Sequence, residues 1–273
     1  MNSSFKTSAE LELESQFLKD GYVICPVEEP ELLNQIQSLA ASLVSAHINV
    51  KCEDPLDFLN SIHHHLDSAN LNDARLTVFN AINNEAWLRV AYYRLATSTL
   101  QSLVGNELAM QRRVNLSIQL PNDHSSLLAM HTDTLSGDSP FEVVEWLPLV
   151  DCHDTKAMFI LPPEQNAELQ NRLSEFKGRG LDDLTDAVKD DLIWLDVPYG
   201  SVLIFNQNLF HGNVVNKEAE TRWSMNCRFK AVFTPYADKK LGEFFEPITL
   251  RAASRIGLDY EYPGGFLDDN ANV

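Results

Sequence analysis

The sequence lacks any long apolar run, and it carries few basic residues for its length. It contains no stretch of about 18 apolar residues and no basic start followed by an apolar segment, so neither a membrane span nor a signal peptide is predicted. With 21 lysines and arginines against 39 aspartates and glutamates, the net charge is -18. This charge repels nucleic-acid phosphates and anionic lipid surfaces, so neither partner is expected. A small phosphate-bearing molecule is not excluded.

Cysteines are scarce as well. The four, Cys25, Cys52, Cys152 and Cys227, show neither CxxC nor disulfide-framework spacing. Reduced thiols in a cytoplasmic protein are the expected state. Internal repeats, Pro-rich linkers and low-complexity tracts are absent too, and 273 residues with 44% hydrophobic content can bury a sizeable core. The sequence therefore predicts one domain spanning residues 1–273.

Two histidines and one aspartate stand at a spacing that suits a metal ion. His131 and Asp133 are one residue apart, so in a strand both would lie on the same face. His211 follows an apolar run, Ser201 to Phe210, which is predicted to be a buried strand folded alongside. Two imidazoles and one carboxylate leave other coordination positions open, as is typical of non-haem Fe(II) oxygenases. We therefore predict His131, Asp133 and His211 as metal ligands, and the protein as an enzyme.

A second strand is predicted from Thr221 to Phe233. Period-two alternation divides it into two faces. The polar face carries Arg222, Ser224, Asn226 and Arg228, and the apolar face carries Trp223, Met225, Cys227 and Phe229. A guanidinium offers a bidentate fork to a carboxylate, and a nearby hydroxyl adds a third donor. Arg222 and Ser224 thus predict a dicarboxylate co-substrate such as 2-oxoglutarate.

The remaining pattern predicts a mainly β (α+β) fold, a jelly-roll barrel of the double-stranded β-helix, cupin-like kind with flanking N-terminal helices. Its expected parts are a helical region at about 27–105, a barrel core at about 106–235 with an acidic helical insertion, and a tail at 236–273. Residues 1–16 are expected to be frayed. The tail is expected to form a helix near Ile248 to Ile256 that covers the barrel mouth or a partner subunit, so a homo-oligomer stays open.

Three segments resemble the phytanoyl-CoA dioxygenase-like branch of the Fe(II)/2-oxoglutarate oxygenases, over most of the chain. They are FLKDGYVICP at 17–26, EWLPLVDCHDTKAMFILPP at 145–163 and VPYGSVLIFNQNLFHGNVVNKEAETR at 197–222. His131, Asp133, His211 and Arg222 match the family motif one by one. The resemblance implies Fe(II), 2-oxoglutarate and O2 as cofactor and co-substrates, and hydroxylation of a C–H bond with release of succinate and CO2. It departs from the family at Pro162, Pro163 and Glu164 and in the long charged stretch from Asn166 to Asp191.

Further residues are candidates for the co-substrate site. The resemblance places Trp146 near the co-substrate, and Asn213, two residues after His211, is another candidate contact. Asn115, Ser117 and Gln119 share a strand face with Arg113; either that face lines the cavity, with Gln119 near the co-substrate, or it is a plain polar outer face. The stretch HTDTLSGDSPFEVVEWLPL at 131–149 is similar to bacterial oxygenases encoded among carbohydrate biosynthesis genes. That likeness implies a sugar or sugar-nucleotide substrate.

Other interpretations stay open. The same three ligands would serve a cupin-like hydrolase or isomerase holding zinc or manganese, which would need neither Arg222 nor Ser224. A barrel that only binds a sugar is a second alternative. Desaturation, cyclisation and epimerisation begin with the same hydrogen abstraction as hydroxylation. The three consecutive histidines at 63–65 point in different directions on a helix, so they predict a surface or helix-end role rather than a metal cluster.

Overall fold

The computed structural model describes residues 4–261, which form two antiparallel sheets with helices packed against the larger one. The strands are β1 Tyr22–Pro26, β2 Leu108–Gln111, β3 Asn115–Gln119, β4 Glu142–Pro148, β5 Met158–Ile160, β6 Ile193–Leu195, β7 Ser201–Asn206, β8 His211–Gly212, β9 Arg222–Ala231 and β10 Phe245–Pro247. The larger sheet runs in the order β1-β7-β4-β9-β2-β10, with β3 paired to β9, and the smaller sheet runs β6-β5-β8. The predicted jelly-roll fold is confirmed.

One helix precedes β1, and five more lie between β1 and β2. The helices are α1 Ser8–Asp20, α2 Pro30–Ile48, α3 Pro55–Ser61, α4 Ser68–Asn83, α5 Leu88–Arg94, α6 Thr97–Leu103, α7 Pro163–Arg172, α8 Leu181–Asp186 and α9 Ala252–Leu258. Single 3-10 turns occur at Ile62–His64, Asp133–Ser136, Asp154–Lys156, Leu173–Phe176 and Lys189–Asp191. The helices α7 and α8 form the acidic insertion. No helix within residues 4–261 has both the length and the apolar character that crossing a bilayer requires.

The main core lies between the larger sheet and the N-terminal helices. Strand β9 alternates as predicted, because Trp223, Met225, Cys227 and Phe229 are completely buried on the helix side. The Trp223 indole N–H donates to the Leu59 carbonyl in α3 (3.0 Å), which ties the helical layer to the sheet. This packing leaves the polar face of β9 for the barrel interior.

Two expectations about the chain ends are corrected. Residues 8–16 are helical rather than frayed, since Thr7 and Glu10 form a reciprocal capping box that satisfies the free amides at the start of α1. The expected C-terminal helix begins at Ala252, after the short strand β10 has paired with β2. It is exposed and does not line the barrel cavity, so it does not cover the mouth. Residues 1–3 and 262–273 of the predicted chain ends lie outside the described residues.

The run from Ser201 to Phe210 is also not one strand. Strand β7 ends at Asn206, because Gln207 leaves the sheet and donates from its buried amide to Glu142 Oε2 (3.0 Å). The chain then turns and enters the smaller sheet as β8. His211 consequently lies in a different sheet from the strand that precedes it.

Candidate active site

The two predicted histidine ligands are joined through their backbones. His131 N–H donates to the His211 carbonyl (3.0 Å), and His211 N–H donates to the His131 carbonyl (2.9 Å). This isolated antiparallel bridge brings the imidazole centroids to 4.4 Å. His131 therefore meets His211 through a two-residue pairing and not through a regular strand, which corrects the expected local structure.

Both imidazoles are oriented by main-chain carbonyls. His131 Nδ1 donates to the Ala129 carbonyl (2.8 Å), and His211 Nδ1 donates to the Leu209 carbonyl (2.9 Å). A hydrogen bond at Nδ1 fixes the tautomer and leaves Nε2 free to coordinate. The two Nε2 atoms lie 3.4 Å and 4.0 Å from Oδ1 of Asp133. All three ligand atoms lie within 4.8 Å of one another, so one ion can contact them together.

Asp133 stands at the start of a 3-10 turn, held from its other side by an arginine. Its Oδ2 accepts a hydrogen bond from a terminal nitrogen of Arg228 (2.7 Å), so only Oδ1 faces the imidazoles. Arg228 Nε in turn lies 3.1 Å from Gln207 Oε1 and 3.3 Å from Asp138 Oδ1. Sequence reasoning placed Arg228 on this face but gave it no role. The structure shows that it orients the carboxylate.

Burial and neighbouring charges set the protonation of the three groups. Burial lowers the pKa of His211 to about 4, so this imidazole is neutral near pH 7. Burial alone would raise the pKa of Asp133, but the hydrogen bond from His131 and the charge of Arg228 hold it well below its usual value. Burial would lower the pKa of His131, yet Asp133 and the Ala129 carbonyl raise it overall. The carboxylate and one imidazole are thus already in the state that binds a metal cation.

The triad opens into a cavity of about 780 Å³. Its walls include the polar face of β9 and the residues facing it on β3, where Ser117 lies opposite Ser224. Arg222, Ser224, Trp146 and Asn213 all line this cavity. The triad and the predicted carboxylate-binding pair therefore share one cavity.

Arg222 is buried without a carboxylate partner among the described residues. One terminal nitrogen donates to Ser117 Oγ (3.2 Å), but Nε has no partner, and neither has the buried Ser224 Oγ. A buried, unpaired charge is costly, and a buried donor left unsatisfied adds to that cost. These free donors fit the far carboxylate of a dicarboxylate ligand. The residues present thus fit both Fe(II) and 2-oxoglutarate.

The other candidate residues of β3 and the position before it differ in whether they line the cavity. Gln119 stands opposite Arg222 in the β3–β9 pairing, and its amide donates to the Val214 carbonyl (2.6 Å), but it does not line the cavity. Asn115 lines the cavity and donates to Asn226 (2.9 Å). Arg113 precedes β3 and lies outside, with its guanidinium 4.4 Å from the Phe79 ring, so its placement on the cavity face is wrong.

The three consecutive histidines at 63–65 make different contacts. His63 Nδ1 lies 3.0 Å from Thr221 Oγ1, His64 is exposed, and the His65 ring stacks on Phe58 at a centroid distance of 6.5 Å. None of the three lines the cavity. Of the three, His63 connects the helical region with the residue that precedes β9.

Sequence reasoning missed one whole wall of the cavity. Four residues of α4 line it, namely Ser68, Leu71, Asn72 and Arg75. Their spacing of three, four and seven residues from Ser68 corresponds to one helix face. This periodicity was available in the sequence, but nothing there indicated that the face would meet the metal cavity.

Comparison with known proteins supports the fold. No family model and no curated protein sequence matches the chain. Among solved structures, the nickel complex of the non-haem monooxygenase ThoJ is similar, with 14% identity, a TM-score of 0.56 and coverage of 87% of this chain and 84% of that one. EctD from S. alaskensis with 2-oxoglutarate and 5-hydroxyectoine has 16% identity, a TM-score of 0.52 and coverage of 86% and 80%.

A third similar structure is AviO1 from Streptomyces viridochromogenes Tue57, with 14% identity, a TM-score of 0.54 and coverage of 85% of this chain and 99% of that one. The similarity to these three proteins extends over most of the described sheets and helices. The chain thus has the jelly-roll fold found in non-haem metal-dependent oxygenases.

Proposed function

We propose that this protein is an Fe(II)/2-oxoglutarate-dependent oxygenase, acting as a single domain in the cytoplasm. His131, Asp133 and His211 would hold the metal, and Arg222 with Ser224 would bind the far carboxylate of 2-oxoglutarate. The observation that carries the proposal is the buried guanidinium of Arg222, which has no carboxylate partner among residues 4–261 and lines the same cavity as the triad. A site for a metal alone has no use for this unpaired cation.

Some residues of the site would bind the metal ion, and others orient the side chains that bind it. The Nδ1 hydrogen bonds aim both imidazoles, and Arg228 aims the carboxylate, so the three ligands need little reorganisation to accept an ion. With O2 as the oxidant, bound Fe(II) and 2-oxoglutarate would supply the C–H oxidation chemistry: 2-oxoglutarate would be converted to succinate and CO2, with one oxygen atom of O2 entering succinate and the other entering the substrate. The protein positions the substrate C–H bond and excludes water from the cavity. Trp146 and Asn213 line the space that the co-substrate would occupy, and Gln119 would support Arg222 from the facing strand.

The substrate is proposed to be a polar small molecule, with hydroxylation as the reaction. Asparagine and serine side chains contribute to the cavity walls, and they offer donors and acceptors suited to a sugar or sugar nucleotide. The likeness of residues 131–149 to oxygenases of carbohydrate biosynthesis supports the same class. A solved neighbour, EctD, was captured with 2-oxoglutarate and the hydroxylated compound 5-hydroxyectoine, which is consistent with small-molecule hydroxylation on this fold.

The experiment is an anaerobic titration of the purified protein with Fe(II) and 2-oxoglutarate, followed by the weak visible absorption band of the metal–2-oxoglutarate chelate. We expect the band in the parent protein and its loss in Arg222→Gln. Arg113→Gln is the matched control, since it removes the same charge outside the cavity. Metal binding without a band in the parent would refute the proposal and favour the hydrolase or isomerase alternative.

A further inference from the structure

One face of helix α4 forms a wall of the cavity beside strand β3. Strand β3 pairs only with β9 among the described strands, and Leu116 and Ile118 of β3 line the cavity as well. The wall is made by Ser68, Leu71, Asn72 and Arg75 of α4. The cavity therefore extends from the triad to the side chains of the N-terminal half of α4.

Arg75 is the feature of this wall that the proposed co-substrate site does not use. It is half-buried, and its guanidinium donates to Asn72 Oδ1 (2.7 Å). No carboxylate of residues 4–261 forms an ion pair with it; Asp73, two positions earlier, pairs instead with His47 (3.3 Å). Arg75 thus presents a positive charge to the cavity with one neutral partner.

The other charges of the cavity are accounted for. Asp133 and Asp138 also line it, and they pair with Arg228 at 2.7 Å and 3.3 Å. Lys239, another cavity residue, pairs with Asp138 (2.5 Å). In a chain with 39 acidic and 21 basic residues, two unpaired arginines in one cavity indicate anionic ligands. Arg222 accounts for the co-substrate, which leaves Arg75.

The surroundings of Arg75 suit the organic part of such a ligand. Leu71 of the same helix and Leu127 and Leu128 of the loop before the triad line the cavity. Ser125 and Ser126 of the same loop donate their hydroxyls to the buried carboxylate of Asp123 (2.8 Å and 3.1 Å). This carboxylate is therefore not presented to the cavity as a partner for Arg75. A carboxylate or phosphate oxygen at Arg75 therefore meets a guanidinium, an asparagine amide and apolar contacts.

We infer that Arg75, assisted by Asn72, binds a carboxylate or phosphate group of the substrate and so selects an anionic substrate. This subsite rests on the proposed oxygenase function, because the substrate must extend from Arg75 towards the metal. Guanidinium groups bind both kinds of anion through paired N–H donors, so the chemistry is shared. A sugar acid and a sugar phosphate are the two forms within the proposed substrate class.

Binding of three matched probes tests the subsite. Glucose, glucuronate and glucose 6-phosphate differ in charge and in the group at one carbon. Their affinities are measured by calorimetry, without oxygen, on the protein loaded with Fe(II) and 2-oxoglutarate. We expect one of the anions to bind at least about tenfold more tightly than glucose, since hydrogen bonds between charged groups exceed neutral ones. The stronger of the two anions identifies the group.

Two variants assign the preference to one residue. In Arg75→Gln the affinity for the preferred anion should fall to the affinity for glucose. The absorption band of the metal–2-oxoglutarate chelate should stay as in the parent protein. Arg113→Gln should keep the preference, because this arginine contacts the other half of α4 outside the cavity, through Asn80 (2.8 Å). Added salt should weaken anion binding in the parent only moderately, because the subsite is partly shielded.

The outcomes separate the subsite from the proposed function. Equal affinity for all three probes, no measurable binding of any, or an unchanged preference in Arg75→Gln would overturn the subsite. Absence of the chelate band in the parent would overturn the oxygenase proposal. Arg75-dependent binding of an anion in the absence of that band would keep the subsite as a feature of a different enzyme.

Discussion

Glu145 offers a direct test of how burial controls ionisation in this fold. It lies on β4 between two cavity-lining residues, Val144 and Trp146, but its own side chain points to the opposite, helix-packed face. The residue is completely buried, and neither carboxyl oxygen has a hydrogen-bond partner. Burial, with a smaller contribution from the charge of Glu28, raises the pKa of Glu145 well above its usual value. We therefore expect the carboxyl to be neutral in the folded protein near pH 7.

The size of the effect follows from proton linkage. The unfolded chain releases this proton above pH of about 4.3, whereas the folded chain retains it, so unfolding becomes more favourable as the pH rises. Each pH unit in this window lowers the free energy of unfolding by about 1.4 kcal/mol, until the folded carboxyl itself ionises. Glu145→Gln keeps the shape and removes the titration. The free energy of unfolding of the variant, relative to that of the parent protein, should therefore increase by about 1.4 kcal/mol for each pH unit in this window.

Urea denaturation of parent and variant at pH 5, 6 and 7 measures this difference directly. Comparing the two proteins at each pH removes the contribution of all other titrating groups, because these are shared. Glu12→Gln, at an exposed position, serves as the control and should show no widening gap. A stability difference between Glu145→Gln and the parent that does not change with pH would refute the reasoning.

Two more predictions concern the metal, and a third concerns the glycine that follows His211. Arg228→Gln removes the hydrogen bond to Oδ2 of Asp133, so Fe(II) affinity in a metal titration should fall about 10- to 100-fold; unchanged affinity would show that Arg228 does not orient the ligand. His131 must lose its proton to bind, and its pKa is raised, so Fe(II) affinity should increase about tenfold per pH unit below that pKa and then level off, whereas a flat profile would contradict a coordinating role. Gly212→Ala would place a Cβ 2.9 Å from the Leu128 carbonyl, so thermal denaturation should show a melting temperature lower by several degrees, and an unaltered melting curve would mean that this loop yields easily.

The polar face of β9 could be predicted from the sequence because strand periodicity is independent of distant contacts. Arg222 and Ser224 fall on the cavity side, opposite the buried Trp223, as alternation requires. The candidate metal ligands were predicted for a different reason, their chemistry and order along the chain. The local structure expected for His131 and Asp133 was wrong, since the pair follows a backbone bridge and a 3-10 turn rather than a strand.

Other parts of the site depend on contacts between distant segments. Gln207 interrupts a run that is apolar enough to continue as a strand, because its amide is needed by Glu142 across the sheet. Arg75 lies on a helix whose amphipathic pattern fits any packed surface. Only the folded chain reveals that this particular face borders the triad. Local periodicity carries no information about such partners, and this is why the cavity wall formed by α4 was not predicted.

The pairing of His131 with His211 through main-chain atoms has a consequence for how this site can diversify. The backbone hydrogen bonds that join His131 to His211 use no side-chain atoms, so the pairing of these two residues does not require the carboxylate of Asp133. A change of Asp133 therefore alters the charge and the number of open coordination positions while this backbone pairing is retained. Evolution or design can thus change the charge at the site through one codon without removing the backbone pairing of the two histidines.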